Sequence, residues 1–361
     1  MPTLHLFPRW ATNPYLAMLT TEARAQGWAL EGTIHAGPMF DALNRLGPGD
    51  VFHLQWTAPL ADAPTAGAYE ERIARLDAAL LAARERGVHV LWTVHNVTTH
   101  DAAYPDQEIA LARLLARRAE RILVLASRTA EVTAEVVPLP AAKIVHLPHS
   151  SYQGVYPPSP GRSGARARLG IPQEQRVLGM VGGIRPYKGV DDMLAAAALL
   201  GRDDHRISAV MAGGASRTEI ETLERSLPRE ITVHRQYGTL TDEELVLWSA
   251  VCDVHVLPYT SILNSGSMFL AATLGMPVVL PGLPHLLADH GDEPWIEFFD
   301  PDAPDRIDEI ARAVSRVLDS PPGERERAAL SFARAHLPRN MAVDYARLLD
   351  SLGADAPDPA V

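Results

Sequence analysis

Two stretches of this sequence carry residue types suited to holding an anion. In the run Val-Gly-Gly-Ile-Arg-Pro-Tyr-Lys-Gly from Val181, the pair Gly182 and Gly183 precedes Arg185 and Lys188. Glycines let a backbone approach a ligand closely, and two cations beside a helix start favour phosphate. The spacing is not the G-x-x-x-x-G-K-[ST] of a Walker loop. In the second stretch, Asn264, Ser265, Gly266 and Ser267 precede an apolar run that stops at Gly275, before Pro277. Ser265 or Asn264 can cap a helix there, and the free N–H groups of its first turn can hold a second phosphate. Two anion-binding junctions in one region point to a diphosphate. Tyr237, in the loop Arg-Gln-Tyr-Gly-Thr from Arg235, is a candidate contact for a nucleobase.

The first half offers different chemistry. The runs ending at Trp56 and Asp101 bring His53, Trp56, His95, Asn96, His100 and Asp101 to strand ends. Imidazole, amide and carboxylate groups all pair with sugar hydroxyls. A metal site is poorly matched, because no H-E-x-x-H or similar spacing is present. The Asp300-Pro301-Asp302 spacing lies in a Pro-rich turn and does not read as a metal clamp. The single cysteine, Cys252, excludes an internal disulfide and reads as a buried small hydrophobe.

These residues must be positioned by alternating strands and helices. Apolar runs read as strands begin at Leu4, Trp28, Val51, Val88, Arg121 and Lys143 in the first half. In the second they begin at Arg176, Arg206, Ile231, Asp253, Met276 and Trp295. Helical periodicity lies between them, as at 70–86, where Ile73, Leu76, Leu80 and Ala83 share a stripe. The order implies two doubly wound parallel α/β domains, whose ligands sit at the carboxyl ends of strands. A first domain is expected over 1–155, a Pro- and Gly-rich linker over 156–172 and a second domain over 173–322. C-terminal helices follow over 323–352, and 353–361 reads as a frayed tail. The helix after Gly183 is expected to start near Lys188.

Composition bounds the partners. With 361 residues, 47% hydrophobic and 21% charged, the chain can bury a full core. Its net charge of -11 argues against nucleic acid as a partner. Residues 1–155 hold 13 basic and 15 acidic groups, so the first half is nearly neutral and compatible with peripheral contact at an anionic lipid surface. No signal-peptide pattern and no uncharged apolar run of about 18 residues occurs, which reads as a cytoplasmic protein, with the inner membrane face as the site of any such contact. Of 33 basic residues only Lys143 and Lys188 are lysines, which marks Lys188 for attention.

The pattern G-x-I-R-P-Y-K-G, then P-Y-x(4)-N-S-G-S and A-x-x-x-G-x-P-V-V, resembles the donor-binding domain of GT-B glycosyltransferases. It is most similar to bacterial exopolysaccharide enzymes of the xanthan β-mannosyltransferase type, related to glycosyltransferase family 4. N-P-Y-L from Asn13, T-V-H-N from Thr93 and the later H-D extend the resemblance from Asn13 to Pro281. It implies a GT-B fold of two Rossmann-like domains facing across a cleft, and a nucleotide-diphosphate sugar as donor, with GDP-mannose leading and no further cofactor. It also implies a glycan or polyprenol-linked acceptor. Arg185 and Lys188 would meet the phosphates, the 264–267 turn the diphosphate and sugar, and Arg9 and Asn13 the acceptor or phosphates. His95 would lie near the transferred sugar.

Retaining members of family 4 carry a Glu-x(7)-Glu pair at positions held here by Ile262 and Leu270, so an inverting transfer is expected. Such a transfer needs one general base, and Asp101 and His100 are the candidates. Two other readings share the shape: a sugar-nucleotide epimerase, and a non-catalytic two-domain sugar-binding protein.

Overall fold

The computed structural model describes residues 1–96, 98 and 102–354. His100 and Asp101 lie outside the described residues, as does the expected frayed tail beyond Ala354. The chain forms two compact units. The first joins Met1–His149 to the segment from Pro338 onward, and the second is Ser150–Leu337.

The first unit holds strands β1 (Thr3–Phe7), β2 (Ala29–Gly32), β3 (Val51–Leu54), β4 (His89–Val94), β5 (Arg121–Val124) and β6 (Ile144–His146). They form one parallel sheet in the order β2-β1-β3-β4-β5-β6. Its central strands are buried on both faces by helices, so Leu4, Leu6, Val51, Leu54, Val90 and Leu91 are almost fully enclosed.

The second unit repeats the plan with β7 (Arg176–Val181), β8 (Ile207–Gly213), β9 (Thr232–Tyr237), β10 (Val254–Val256), β11 (Val278–Pro281) and β12 (Ile296–Phe299). Its parallel order is β12-β11-β10-β7-β8-β9. Counted from β7 this is 3-2-1-4-5-6, the Rossmann order, which reverses direction between β7 and β10. Cys252 is fully buried over Gly179, where a Cβ would lie 2.1 Å from its Sγ, and burial pushes its thiol pKa up.

The structure divides the chain at different places from those expected. The presumed linker contains a helix, Gly161–Leu169, fixed to the second unit by Arg166. That guanidinium is only 3% exposed and donates to the carbonyls of Val251 (3.0 Å) and Gln173 (2.8 Å) and to the Asp253 carboxylate (2.7 Å). The C-terminal helices part company. Glu324–Ala335 packs in the second unit, with the Phe332 and Phe269 rings 5.8 Å apart, whereas Pro338–Ala354 returns to the first.

Two smaller corrections concern the lysines. Strand β6 starts after Lys143, whose ammonium instead donates to the carbonyls of Ala116 (3.2 Å) and Arg117 (2.6 Å) at the end of the helix Pro105–Arg118. At the other lysine the chain makes a short 3-10 turn, Pro186–Lys188, then Gly189 at φ 70°, and the helix proper is Val190–Gly201. Gly189 is required there, since a Cβ would lie 2.4 Å from the Pro258 carbonyl oxygen.

Candidate functional site

In the second unit, the loops leaving β7 and β10 flank the reversal of strand order. Gly182, at φ 114°, donates its N–H to Ala212 (2.8 Å), and Ile184 donates to Gly214 (2.8 Å). The β7 and β8 turns therefore press together. Gly213 makes this contact feasible, because a Cβ on it would lie 1.8 Å from the Gly182 oxygen.

The β10 loop is tied to the same place. Thr260 N–H donates to the Tyr187 carbonyl (2.9 Å). Arg306 bonds Asp192 (2.9 Å) and the carbonyls of Pro258 (2.8 Å) and Tyr259 (3.3 Å). At the far end of that loop, Ser265 caps the helix Gly266–Thr273 by accepting from Met268 N–H (3.1 Å), and its hydroxyl also meets the Tyr259 hydroxyl (2.9 Å). Asn264 Oδ1 accepts from Ser265 N–H (2.8 Å). Burial pushes the Tyr259 phenol up to about 12, keeping it a neutral partner for that serine.

The cations differ in their commitments. Arg185 donates to the carbonyls of Ile184 (2.6 Å) and Gly214 (3.1 Å) and stands 3.5 Å from the Glu219 carboxylate. Lys188 is half-buried, with Nζ 3.9 Å from where a Gly182 Cβ would be, and has no hydrogen-bond or ion-pair partner among the described residues. Burial, and secondly the charge of Arg185, pull its ammonium down to about 8. The arrangement is thus a glycine-floored turn bearing two cations, a geometry suited to a phosphate group.

Not every expected contact faces it freely. The Tyr237 hydroxyl donates to Glu224 (2.8 Å), which also takes Arg235. Burial and this carboxylate raise the Tyr237 phenol to about 12. Gly189, Tyr259 and Arg306 were not singled out from the sequence, and of these only Gly189 left a local signal, as the glycine closing the run from Val181.

The first unit gathers aromatic groups at the carboxyl ends of β1, β3 and β4. Asn13 caps the helix Pro14–Leu19, its Oδ1 accepting from Tyr15 N–H (3.0 Å), while the side chain of Arg9 is exposed. Trp56 stacks on His95 with ring centroids 4.1 Å apart and lies 5.0 Å from Trp10. The Tyr15 ring stands edge-on to Trp56 and His95. His95 Nε2–H donates to Gln55 Oε1 (3.0 Å), which leaves Nδ1 as the acceptor of a neutral ring. Burial chiefly, then His149 and His53, hold His95 well below the usual histidine value. Gln55, Trp56, Thr93, His95, Asn96 and Glu108 line a cavity of about 70 Å³ here.

His53 does not join this edge. It is fully buried, between the Tyr345 hydroxyl (2.7 Å) and the Thr93 hydroxyl (2.8 Å). No cluster of three or more His, Cys, Asp or Glu side chains suited to a metal ion occurs among the described residues, and none of their helices is long and apolar enough to cross a membrane. Trp10 and Gln55 were missed in the sequence because the β1–β3 pairing brings Trp10 to Trp56 and the β3–β4 pairing brings Gln55 to His95.

Two doubly wound parallel units, the second matching a glycosyltransferase family over residues 162–333, define the class: this is a glycosyltransferase of GT-B fold. Within that class, residues 162–333 match the family described as glycosyl transferases group 1, and the second unit is a domain of that kind. Over 356 residues, 96% of this chain and 91% of the relative, the sequence is 25% identical to a GDP-mannose:glycolipid 4-beta-D-mannosyltransferase of Xanthomonas campestris pv. campestris. A D-inositol 3-phosphate glycosyltransferase of Mycolicibacterium smegmatis is 31% identical over 216 residues, 56% of this chain and 47% of that one. Among solved structures, Anabaena HepE in complex with UDP and glucose superposes with a TM-score of 0.74 at 13% identity, covering 97% of this chain and all 100% of that one. Sucrose-phosphate synthase from Thermosynechococcus elongatus gives 0.75 at 16% identity, covering 99% and 100%.

Proposed function

We propose that this glycosyltransferase moves a hexose from a nucleotide-diphosphate sugar to an acceptor hydroxyl, with inversion at the anomeric carbon. The observation that carries the reading is Lys188, a half-buried ammonium with no anionic partner among the described residues, set over Gly182. Removing a cation from water is costly unless an anion offsets it, and a diphosphate supplies that charge. Lys188, Arg185 and the first-turn N–H groups of the helix Gly266–Thr273, at Gly266 and Ser267, would stabilise the departing nucleoside diphosphate as its bond to the sugar breaks. No step in this chemistry calls for a metal.

The 25% identity to a GDP-mannose-dependent enzyme over nearly the whole chain supports mannose from GDP-mannose as the donor and a lipid-linked glycan as the acceptor. Ile262 and Leu270 supply no carboxylate to a retaining mechanism. The acceptor proton would go to Asp101 or His100, as the acceptor oxygen attacks the anomeric carbon from the face opposite the leaving phosphate. His95 and Asn96 would bind sugar hydroxyls.

The test is thermal stabilisation by GDP-, UDP-, dTDP- and ADP-sugars of the wild type and of Lys188→Ala. One nucleotide family should stabilise the wild type and lose most of its effect in the variant. Absence of stabilisation by every nucleotide sugar would overturn the reading. Conversion of a UDP-sugar without any acceptor would show an epimerase instead, and NMR of the product anomer reads the stereochemistry.

A further inference from the structure

The first sheet also reverses its strand order, between β1 and β3. Open parallel sheets bind ligands in the crevice beside the carboxyl ends of the two strands that flank such a reversal. In the second unit those loops carry the candidate phosphate site. In the first they carry Trp10 and Trp56.

Both indoles stand on anchored backbone. Gln55 N–H donates to the Phe7 carbonyl (2.6 Å), extending the β1–β3 pairing to the residue before Trp56. On the other loop, Arg9 N–H donates to Thr33 (2.9 Å) and Asn13 N–H to the Trp10 carbonyl (3.1 Å). Gly32 is the floor that admits this loop, since a Cβ there would lie 2.4 Å from Arg9 Cβ. The two rings meet at 5.0 Å with a 41° tilt, and both remain half-buried rather than enclosed. A small cavity bounded by Arg9, Trp10 and Asn13 adjoins one indole, and the cavity bounded by Gln55, His95 and Asn96 adjoins the other.

We infer that Trp10 and Trp56 form a stacking platform for a pyranose ring of the acceptor, an inference that rests on the glycosyltransferase reading above. A pyranose presents a face of C–H groups, which the electron-rich face of an indole attracts, and an equatorial belt of hydroxyls. The amides of Asn96 and Asn13, the neutral imidazole of His95 and the Arg9 guanidinium surround the indoles with groups suited to that belt. The stack of Trp56 on His95 fixes the inner indole before any ligand arrives, which lowers the ordering cost of binding.

Saturation-transfer NMR on the full chain with methyl α-D-mannopyranoside and methyl β-D-glucopyranoside tests the platform. At least one glycoside should receive saturation, strongest at the C–H groups of one ring face. Trp10→Ala and Trp56→Ala should each weaken it about five-fold, with Trp56→Phe retaining more than Trp56→Ala. Stabilisation by the nucleotide sugar that Lys188 responds to should persist in these variants and show that they are folded. The inference is overturned if neither glycoside receives saturation in the wild type, if saturation survives in both alanine variants, or if nucleotides displace the glycoside equally well in Lys188→Ala. Failure of the glycosyltransferase reading itself would appear separately, as absence of any nucleotide-sugar effect on the wild type.

Discussion

The Tyr345 hydroxyl lies 2.7 Å from His53 Nδ1, although 292 positions separate the two residues in the chain. The rings stack with centroids 5.6 Å apart, and both residues are fully buried. His53 burial holds the imidazole down to about 3, so it stays neutral at ordinary pH and can be satisfied by the hydroxyls of Tyr345 and Thr93. The returning helix Pro338–Ala354 therefore supplies a hydrogen bond that the β3 strand needs. Tyr345→Phe removes one of two partners of His53 Nδ1, the other being Gln55 Nε2 at 3.1 Å, and should destabilise the first unit by about 1 kcal/mol. Urea unfolding followed by tryptophan fluorescence measures this, and an unchanged midpoint would show that the bond contributes nothing.

Lys188 gives nucleotide binding a pH dependence with a defined sign. Its ammonium, lowered to about 8, is charged below that value and neutral above it, so affinity for a nucleoside diphosphate should fall as pH rises from 8 to 9.5. Bound phosphate favours the charged form, so the midpoint should move upward in the complex. Lys188→Arg, which stays charged throughout, should bind with a flat profile over that range. Calorimetric titration of both proteins from pH 6.5 to 9.5 makes the comparison.

Gly213 and Gly214 are neighbours with opposite tolerance. Gly213 sits at φ 148° with a Cβ position 1.8 Å from the Gly182 oxygen, while nothing lies within 4 Å of the position at Gly214. Gly213→Ala must force the β7 and β8 turns apart, and should cost at least about 2 kcal/mol together with most of the nucleotide-induced stabilisation. Gly214→Ala should cost under about 1 kcal/mol. Thermal melts with and without nucleotide compare the two, and equal effects would refute the packing account.

Each unit also buries a histidine whose neutral form is favoured, His53 in the first, at about 3, and His255 in the second, held by burial at about 4. Both take up protons near 6.5 once unfolded, so the unfolded state binds more protons and stability falls as pH drops from 6.5 toward the folded values. At pH 5 the loss is about 2 kcal/mol for each histidine. Melts between pH 7 and 5 should show both units destabilised. His255→Gln should flatten the slope for the second unit alone.

Much of the scaffold was legible because parallel strands buried on both faces read as unbroken apolar runs. The twelve strands of the described residues fall where Leu4, Val51, Val177, Val254 and their like predict them, with starts shifted by at most two residues. The helix entry at Lys188 was not legible, since the left-handed Gly189 answers to the Pro258 carbonyl, a contact 69 positions away that no local pattern encodes. The placement of the last helix was equally hidden. An apolar stripe on 338–354 announces burial but does not name the sheet it covers, which the Tyr345–His53 bond identifies. For the candidate site, the glycines and cations stand together in one local run, whereas Arg306 and Trp10 meet their partners only through folding.

Because the first unit is assembled from both ends of the sequence, synthesis on a ribosome imposes an order on its completion. The second unit, contiguous from Ser150 to Leu337, has all its residues available before the helix that carries Tyr345 emerges. Until then His53 lacks the Tyr345 hydroxyl, so the first unit is completed after the second has been synthesised.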